Sequence, residues 1–482
     1  MARVASGLLA LYHRLPWRLR TVAASLRGRQ LQRLRYGPTT DALVEEALAR
    51  EQWDAARWTA WQDEQLAMVL HRAATRVPFY RAQWAERRRR GDGSSWEVLE
   101  NWPVLLKESL RADPTAFVAD DCDRRRMVHD HTSGTTGTSL SIWLSRDTVQ
   151  RWYALFEARW RRWYGVTRHD RWAIVGGQLI TPVRQERPPF WVWNSGMNQL
   201  YMSSYHLSPR HVGACLDALA RYRVRYVLGY SSSLYSLACG ALEAGRTDIR
   251  LAVAITNAEP LLAHQRDAIE AAFGCPARET YGMGEAVAAA SECESGAMHL
   301  WPEAGIVEVF QQDARLPRGA TGDLVCTGLI NLDMPLVRYR VGDVGSQSAD
   351  TSVCSCGRAL PRLASLEGRV DDVLFTIDGR RVGRLDPVFK DGLPVREAQI
   401  IQESLSCVRV RYVPTAAFRR PDGVTIVERL RDRMGDIEVV LEEVPAIPRT
   451  ANGKFRAVVC ALPDAERRRL GDELAHRRPV TA

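Results

Sequence analysis

His131-Thr132-Ser133-Gly134-Thr135-Thr136-Gly137-Thr138-Ser139-Leu140 has the composition of an anion cradle. Gly134 and Gly137 let the backbone turn tightly enough to aim successive N–H groups at one anion, and the hydroxyls of Thr132, Ser133, Thr135 and Thr136 add donors for further phosphate oxygens. No Gly-Lys-Ser/Thr closes the run, and Ser141-Ile142-Trp143-Leu144-Ser145 alternates like a strand instead of opening a helix, which excludes a Walker A loop. Taken alone, the same run is also a polar surface turn. A second constellation is Cys293, His299, Cys354 and Cys356. Three thiolates and one imidazole are the donor set of a tetrahedral Cys₃His zinc site. Reduced cysteines packing a β-rich region, without metal, are the other reading.

Four more stretches follow the cradle at wide separations: Tyr281-Gly282-Met283-Gly284-Glu285, Arg338-Tyr339-Arg340-Val341-Gly342-Asp343, Glu367-Gly368-Arg369-Val370-Asp371-Asp372, and Pro448-Arg449-Thr450-Ala451-Asn452-Gly453-Lys454. Singly each is weak. In this order, together with the cradle, they resemble the adenylate-forming (acyl-CoA synthetase) superfamily, and closely its phenylacetate-CoA ligase-like and CapK-like branch. The resemblance runs from about Val77 to Arg456.

What it implies agrees with the chemistry of the side chains. ATP and Mg²⁺ would be the cofactors of a carboxylate-activating ligase, with coenzyme A as acceptor. The cradle holds the phosphates, Tyr281 stacks on adenine beside Gly282, and Glu285 holds Mg²⁺. Asp343 takes the ribose hydroxyls, and Arg369 supplies a permanently charged fork near ribose and phosphate. The resemblance also runs Ala258 and Glu259 beneath the base. Attack of a carboxylate on the α-phosphate brings two anions together, so a mobile ammonium bridging them, Lys454, is the catalytic group with Glu285 and Arg369. Asp371 is the implied hinge of a mobile C-terminal domain serving two half-reactions. Tyr230, Ser231 and His206 are the implied acyl-pocket residues, within reach of the aromatic 190–206 stretch, whose Trp191, Trp193, Tyr201 and Tyr205 favour an aromatic acid. There are two departures. Gly284 stands where the family usually has Thr or Ser, and no lysine follows the cradle. Two further readings stay open: transfer to an amine or carrier protein, and a binding protein of polysaccharide biosynthesis that has lost turnover.

The elements that position these groups read as follows. Apolar residues recur at helical spacing over 41–76, with Thr40 as N-cap, in a helical lead-in reaching about residue 110. Trp152, Phe156, Trp160 and Trp163 stripe one face of a core-packed helix, with Arg151, Arg159, Arg161 and Arg162 elsewhere on it. Buried strands at 172–175, 226–229 and 251–256 alternate with helices at 209–221, 232–244 and 260–273, the pattern of a mainly parallel α/β sheet. Short strands punctuated by Arg318-Gly319 and Thr321-Gly322 make a β-rich part at about 305–371. The fold class is α/β: a large N-terminal α/β domain over 1–371, then a small mobile α+β domain over 372–482 with strands at 408–413 and 437–441 and a helix at 424–434.

At 482 residues with 46 % hydrophobic content the chain can build two or more cores. Its net charge of +9 comes from scattered arginines and reads as solvated surface, not a nucleic-acid patch. No run of eighteen apolar residues exists, which points to a cytoplasmic protein; its basic, partly amphipathic N-terminus permits transient contact with a membrane surface but does not require it. Ten cysteines in that setting argue for thiols or metal ligands over disulfides.

Overall fold

The computed structural model describes residues 2–131, 140–182, 184–207, 210–258, 261, 263–311, 313–366, 374–377, 381–382, 385–389, 393–445, 447, 458–463 and 466. Helices α1 (Ala2–Arg14), α2 (Trp17–Arg35), α3 (Thr40–Arg50) and α4 (Ala55–Arg76) open the chain. The single helix expected over 41–76 is thus two. Asp54 makes the break, because its side chain caps the second helix by accepting from the Arg57 N–H at 2.8 Å. Thr40 lies inside α3, its hydroxyl accepting from the Gly37 N–H at 2.8 Å. A further helix, Pro78–Arg89, starts with proline in its first turn, where the missing N–H costs nothing.

Strands β1 (Val128–His131) and β2 (Ser141–Leu144) form an antiparallel hairpin with His131 opposite Ser141. Its stem is pinned where Asn331 Nδ2 donates to the Trp143 carbonyl at 3.0 Å. Then come β3 (Trp172–Gly176), β4 (Trp191–Asn194), β5 (Gln199–Ser203), β6 (Tyr226–Tyr230), β7 (Val253–Asn257), β8 (Ala277–Gly282), β9 (Ala289–Glu292), β10 (Met298–Leu300), β11 (Gly305–Gln311), β12 (Ala314–Arg315), β13 (Gly322–Gly328), β14 (Tyr339–Gln347) and β15 (Arg362–Leu366). All thirteen join one sheet in the order β12-β11-β13-β14-β15-β10-β9-β8-β7-β6-β3-β5-β4. β5, β3, β6, β7 and β8 run parallel, and every pairing from β8 outward to β12 is antiparallel. The β-rich part is therefore a continuation of the parallel sheet.

Helices Val212–Arg221, Ser231–Glu243 and Ala263–Phe273 cover the parallel half, burying Leu216, Leu237, Ile269 and Phe273 against Val175, Val227 and Ala254. A second core, around Tyr80, Trp102, Phe117, Leu324 and Tyr339, lies under the antiparallel half. The tryptophan-rich helix Arg146–Phe156 continues through a wide π turn, Glu157–Arg161. Trp160 is buried as expected, but so are Arg159 and Arg161. Arg159 makes a two-pronged pair with Glu303 at 2.6 and 2.8 Å, and Arg161 pairs with Glu157 at 3.2 Å. The π turn brings both guanidinium groups inward, where only paired charges are tolerated.

After residue 374 a separate four-stranded sheet has a core of its own. Strands Val395–Ser404, Cys407–Pro414, Glu438–Glu443 and Val458–Cys460 are covered by helix Arg420–Met434, matching the strand and helix expectations and adding one strand before them and one after.

Candidate active site and metal centre

Register across the parallel strands aligns their carboxyl ends. Gly176 lies beside Ser203, Val175 beside Gly229, Tyr230 beside Asn257, and Thr256 beside Glu279. Tyr230, Ala258 and Tyr281 therefore share one rim, the edge at which open α/β sheets take ligands. Tyr281 closes β8, and the turn after it carries Glu285 before β9 returns antiparallel.

Tyr339 and Asp343 reach this rim from β14. Arg340 pairs with Val325 and Val344 with Asp323, so residues 341–343 face Leu324 alone. This bulge needs Gly342, whose φ is +85°, and it turns Asp343 toward Tyr281. The Tyr281 hydroxyl donates to Asp343 Oδ2 at 2.8 Å, and the Tyr339 hydroxyl donates to the buried Glu285 at 3.1 Å. The Cys326 thiol is pushed well up, first by burial and then by the charges of Asp343, Glu308 and Glu285. Cys215 and Cys326 are core residues. All ten cysteines are free thiols.

Backbone strain gathers at the same rim. Of five described non-glycine residues with positive φ, three flank it: Ala258 (+63°) after β7, Ala286 (+55°) after Glu285, and Arg338 (+49°) before β14. Such conformations cost roughly 1–3 kcal/mol each and persist only where the surroundings impose them. At Arg338 the imposition is visible: its guanidinium holds Glu308 at 2.9 and 3.0 Å and the carbonyls of Glu100 and Trp102 at 3.1 and 2.8 Å. Arg338 thus acts as a buried anchor for β14, a role that motif reading missed. Asn257 Oδ1, one residue before Ala258, is buried with no hydrogen-bond partner among the described residues.

Farther along the rim, Tyr201 lies against Gly176, and Tyr205 and Tyr230 against Gly177. The Tyr205 hydroxyl donates to the Gly177 carbonyl at 2.8 Å, and a Cβ at Gly177 would come within 3.1 Å of that hydroxyl. Burial raises the Tyr201 phenol, with Tyr230 and Tyr205 adding to it. His206 is buried, stacked on Phe190 with ring centres 4.5 Å apart, and its Nδ1 lies 2.8 Å from Ser203 Oγ. Ser231, at the start of its helix, is buried. Trp191 and Trp193 are not beside this cluster: alternation along β4 turns both into the helix-covered core, where Trp193 stacks on Tyr222 at 5.1 Å. From the C-terminal module, Arg433 lies over the Tyr205 ring at 5.8 Å. Thr132, Ser133, Gly134, Thr135, Thr136, Gly137, Glu259, Arg369, Asp371 and Lys454 lie outside the described residues.

The cysteine constellation converges. Cys293 leaves β9 into a turn closed by its N–H to the Ala297 carbonyl at 2.9 Å, and His299 sits on β10. The 348–361 connection folds over that turn and delivers Cys354 and Cys356, with Gly357 at φ +84° completing the knuckle. One donor atom from each of the four residues falls within 4.8 Å of the others, and all but Cys356 are buried. Cys293 Sγ is 4.0 Å from Cys354 Sγ, and Cys356 Sγ is 3.4 Å from His299 Nε2. Ligands around tetrahedral zinc stand about 3.5 Å apart, so this spacing fits. His299 Nδ1 lies 3.3 Å from the Leu360 carbonyl, which orients Nε2 toward the thiols, and burial pushes the imidazole down to about 4. Burial alone would raise the Cys354 thiol, but hydrogen bonds from the Cys356 backbone and neighbouring side chains hold it below its ordinary value. Arg358 ties the knuckle to Glu51 at the end of α3 and to Glu294, each at 2.9 Å.

The CapK C-terminal domain family matches residues 374–461. Protein CapK of Staphylococcus aureus is 27% identical over 50% of this chain; the chain spans 52%, about half, of that relative's length. Phenylacetate-coenzyme A ligase of Thermus thermophilus is 32% identical over 68% of this chain and 73% of its own. Among solved structures, 2-hydroxyisobutyryl-CoA ligase in complex with 2-HIB-AMP and CoA superposes with a TM-score of 0.54 over 88% of this chain and 94% of that one, at 21% identity, which is a likeness of fold. No described helix is long and apolar enough to cross a membrane.

Proposed function

The chain belongs to the phenylacetate-CoA ligase and CapK branch of the adenylate-forming superfamily, and from that premise we propose that it activates a carboxylic acid with ATP and passes the acyl group to coenzyme A. A carboxylate oxygen attacks the α-phosphorus, pyrophosphate leaves, and the thiol then displaces AMP. The observation that carries this reading is the union of Tyr281 with Asp343 and of Glu285 with Tyr339 on one rim, although the pairs are 62 and 54 residues apart in the chain. Tyr281 supplies a flat face for the base, Asp343 a carboxylate for the ribose hydroxyls, and Asn257 Oδ1 an acceptor for an exocyclic amine. Glu285 would hold Mg²⁺, which neutralises charge between the phosphates. The 132–137 run, Ala258, Gly282, Glu259 and Arg369 complete the nucleotide grip, and Lys454 bridges the reacting anions. Asp371 is the hinge of the C-terminal module. The acid enters beside Gly176 and Gly177, where Tyr201, Tyr205 and Tyr230 gather, with Ser231 and His206 as further pocket residues; three phenols favour an aromatic or other flat acid carrying a polar group.

The test is acid-dependent exchange of pyrophosphate into ATP across a panel of carboxylic acids, followed by thioester formation with coenzyme A. Lys454→Ala is expected to lower exchange roughly 100- to 1,000-fold, as for loss of one charge-stabilising group in a transition state. Exchange unchanged in this variant would refute the assignment. The match of the last domain to CapK favours one second reading, in which adenylation is the same and the acceptor is an amine or a carrier thiol. Exchange without thioester formation would select it.

Cys293, His299, Cys354 and Cys356 would hold one structural Zn²⁺. Four protein donors leave no open position, so this metal supplies stability and no step of the reaction. About one zinc per chain in the purified protein is expected, and a metal-free protein whose melting is indifferent to chelator would dismiss it.

A further inference from the structure

The first forty residues contain eight arginines and no lysine, aspartate or glutamate; the first acidic residue is Asp41. α1 and α2 turn part of this segment inward. The Tyr12 hydroxyl donates to the Ile180 carbonyl at 3.1 Å, Trp17 Nε1 to the Trp191 carbonyl at 2.9 Å, and the buried Arg20 to Thr181 at 3.2 Å and Gln185 at 2.9 Å. The outward face is unlike the rest of the surface. Leu8 and Leu11 are 62% and 59% exposed on α1; Leu19, Val22 and Leu26 are 49%, 53% and 54% exposed on α2. With Leu9 they make six of the thirteen exposed large apolar side chains among the described residues, the other seven being dispersed from Met68 to Val424.

The spacing gives these residues a common direction. Leu19, Val22 and Leu26 stand at i, i+3 and i+7, and the same stripe continues into Arg29 and Arg33 at i+10 and i+14. Arg14, Arg18, Arg27, Arg29 and Arg33 are all exposed. Apolar side chains on a water-facing helix surface, edged by cations with no compensating acid, are the profile of a helix lying in a bilayer interface. The leucines enter the acyl boundary while the guanidinium groups meet lipid phosphates. Because no described helix can cross a membrane, the pair lies on the surface instead of spanning it.

We propose that α1 and α2 form a docking surface for an anionic phospholipid bilayer. The anchoring contacts at 180–193 are the reason the two helices can do this without unfolding the domain: their inner faces are held by hydrogen bonds, and only the outer faces are offered. The same stretch connects β3, whose end carries Gly177, to β4. This inference stands on the helix surface and does not require the ligase reading.

The experiment is co-sedimentation of the full chain with phosphatidylcholine vesicles, with and without phosphatidylglycerol, at low and high salt. Binding is expected only to the anionic vesicles and should weaken as salt rises. L19D/V22D/L26D should abolish it. R27Q/R29Q/R33Q should weaken it on the order of 100-fold, about fivefold per arginine near an anionic surface. All six positions are exposed, so both variants should melt with the wild-type protein. Failure of the wild-type chain to bind anionic vesicles, or equal binding to neutral ones, overturns the proposal. So does retention of binding by the aspartate variant, or a self-association, seen in sedimentation velocity, that the aspartate variant removes while vesicles are ignored; this last result would give the face to a second copy of the chain.

Discussion

β9 has a turn at each end, and the two turns are built on opposite principles. At one end, Glu285 and the left-handed Ala286 precede the strand, both buried, with Glu285 accepting a hydrogen bond from Tyr339 of β14. At the other, Cys293 follows the strand into a closed knot of three thiols and an imidazole, braced by Arg358 through Glu51 and Glu294. The strand between them is four residues, about 14 Å. The comparison teaches that the two ends of one short strand have separate supports, a side chain of β14 at one and the Arg358 ion pairs at the other.

The comparison predicts that the two ends fail differently. Cys354→Ser should remove zinc and cost several kcal/mol of stability, read as a large fall in melting temperature, while exchange per folded molecule stays near wild type. Glu285→Gln keeps the shape and the hydrogen bond from Tyr339; it should lower exchange about 100-fold with melting unchanged. If the cysteine variant lost exchange in proportion while remaining folded, or the glutamine variant unfolded, the division of labour between the ends would be wrong. Tyr281→Phe sharpens the picture. It preserves the ring proposed to face the base and removes only the donor to Asp343, so KM for ATP should rise several-fold, no more than about tenfold, with kcat little changed.

The smallest effect expected lies inside β8. Burial raises the carboxyl of Glu279, with the charge of Glu292 adding to it. In the folded chain this group keeps its proton to higher pH than in the unfolded chain, so its relative stabilisation is full below the ordinary carboxylate range and is lost as pH rises through the folded value. Glu279→Gln, which still offers an oxygen to the Leu261 N–H, should therefore raise the melting temperature by about 1–2 °C at neutral pH and by nothing in acid. A gain that persisted unchanged in acid would assign the effect to packing.

Much of the fold was legible because local pattern and tertiary role coincide. The strands at 172–175 and 226–229 are continuous apolar runs buried on both faces, and the helices between them carry clear stripes. The break at Asp54 was missed because tryptophans and alanines keep helical spacing across it, so the periodicity hides a cap. Arg159 and Arg161 were misplaced because arginine is ordinarily exposed; nothing local announces the π turn or the distant Glu303 that make burial tolerable. Trp191 and Trp193 were expected beside the acid, yet pairing in β4 sends them to the opposite layer.

By itself the sequence determined the family, the alternation of strand and helix, the small C-terminal unit, and the chemical types at 281, 285, 343 and the four metal donors, since these depend on residue identity and short-range spacing. Only the tertiary structure decided that Tyr281 meets Asp343 and that Cys293 meets Cys354, 62 and 61 residues apart. Those meetings depend on sheet register and on the bulge at 341–343, and register is set by the sum of many long-range pairings that no single segment encodes.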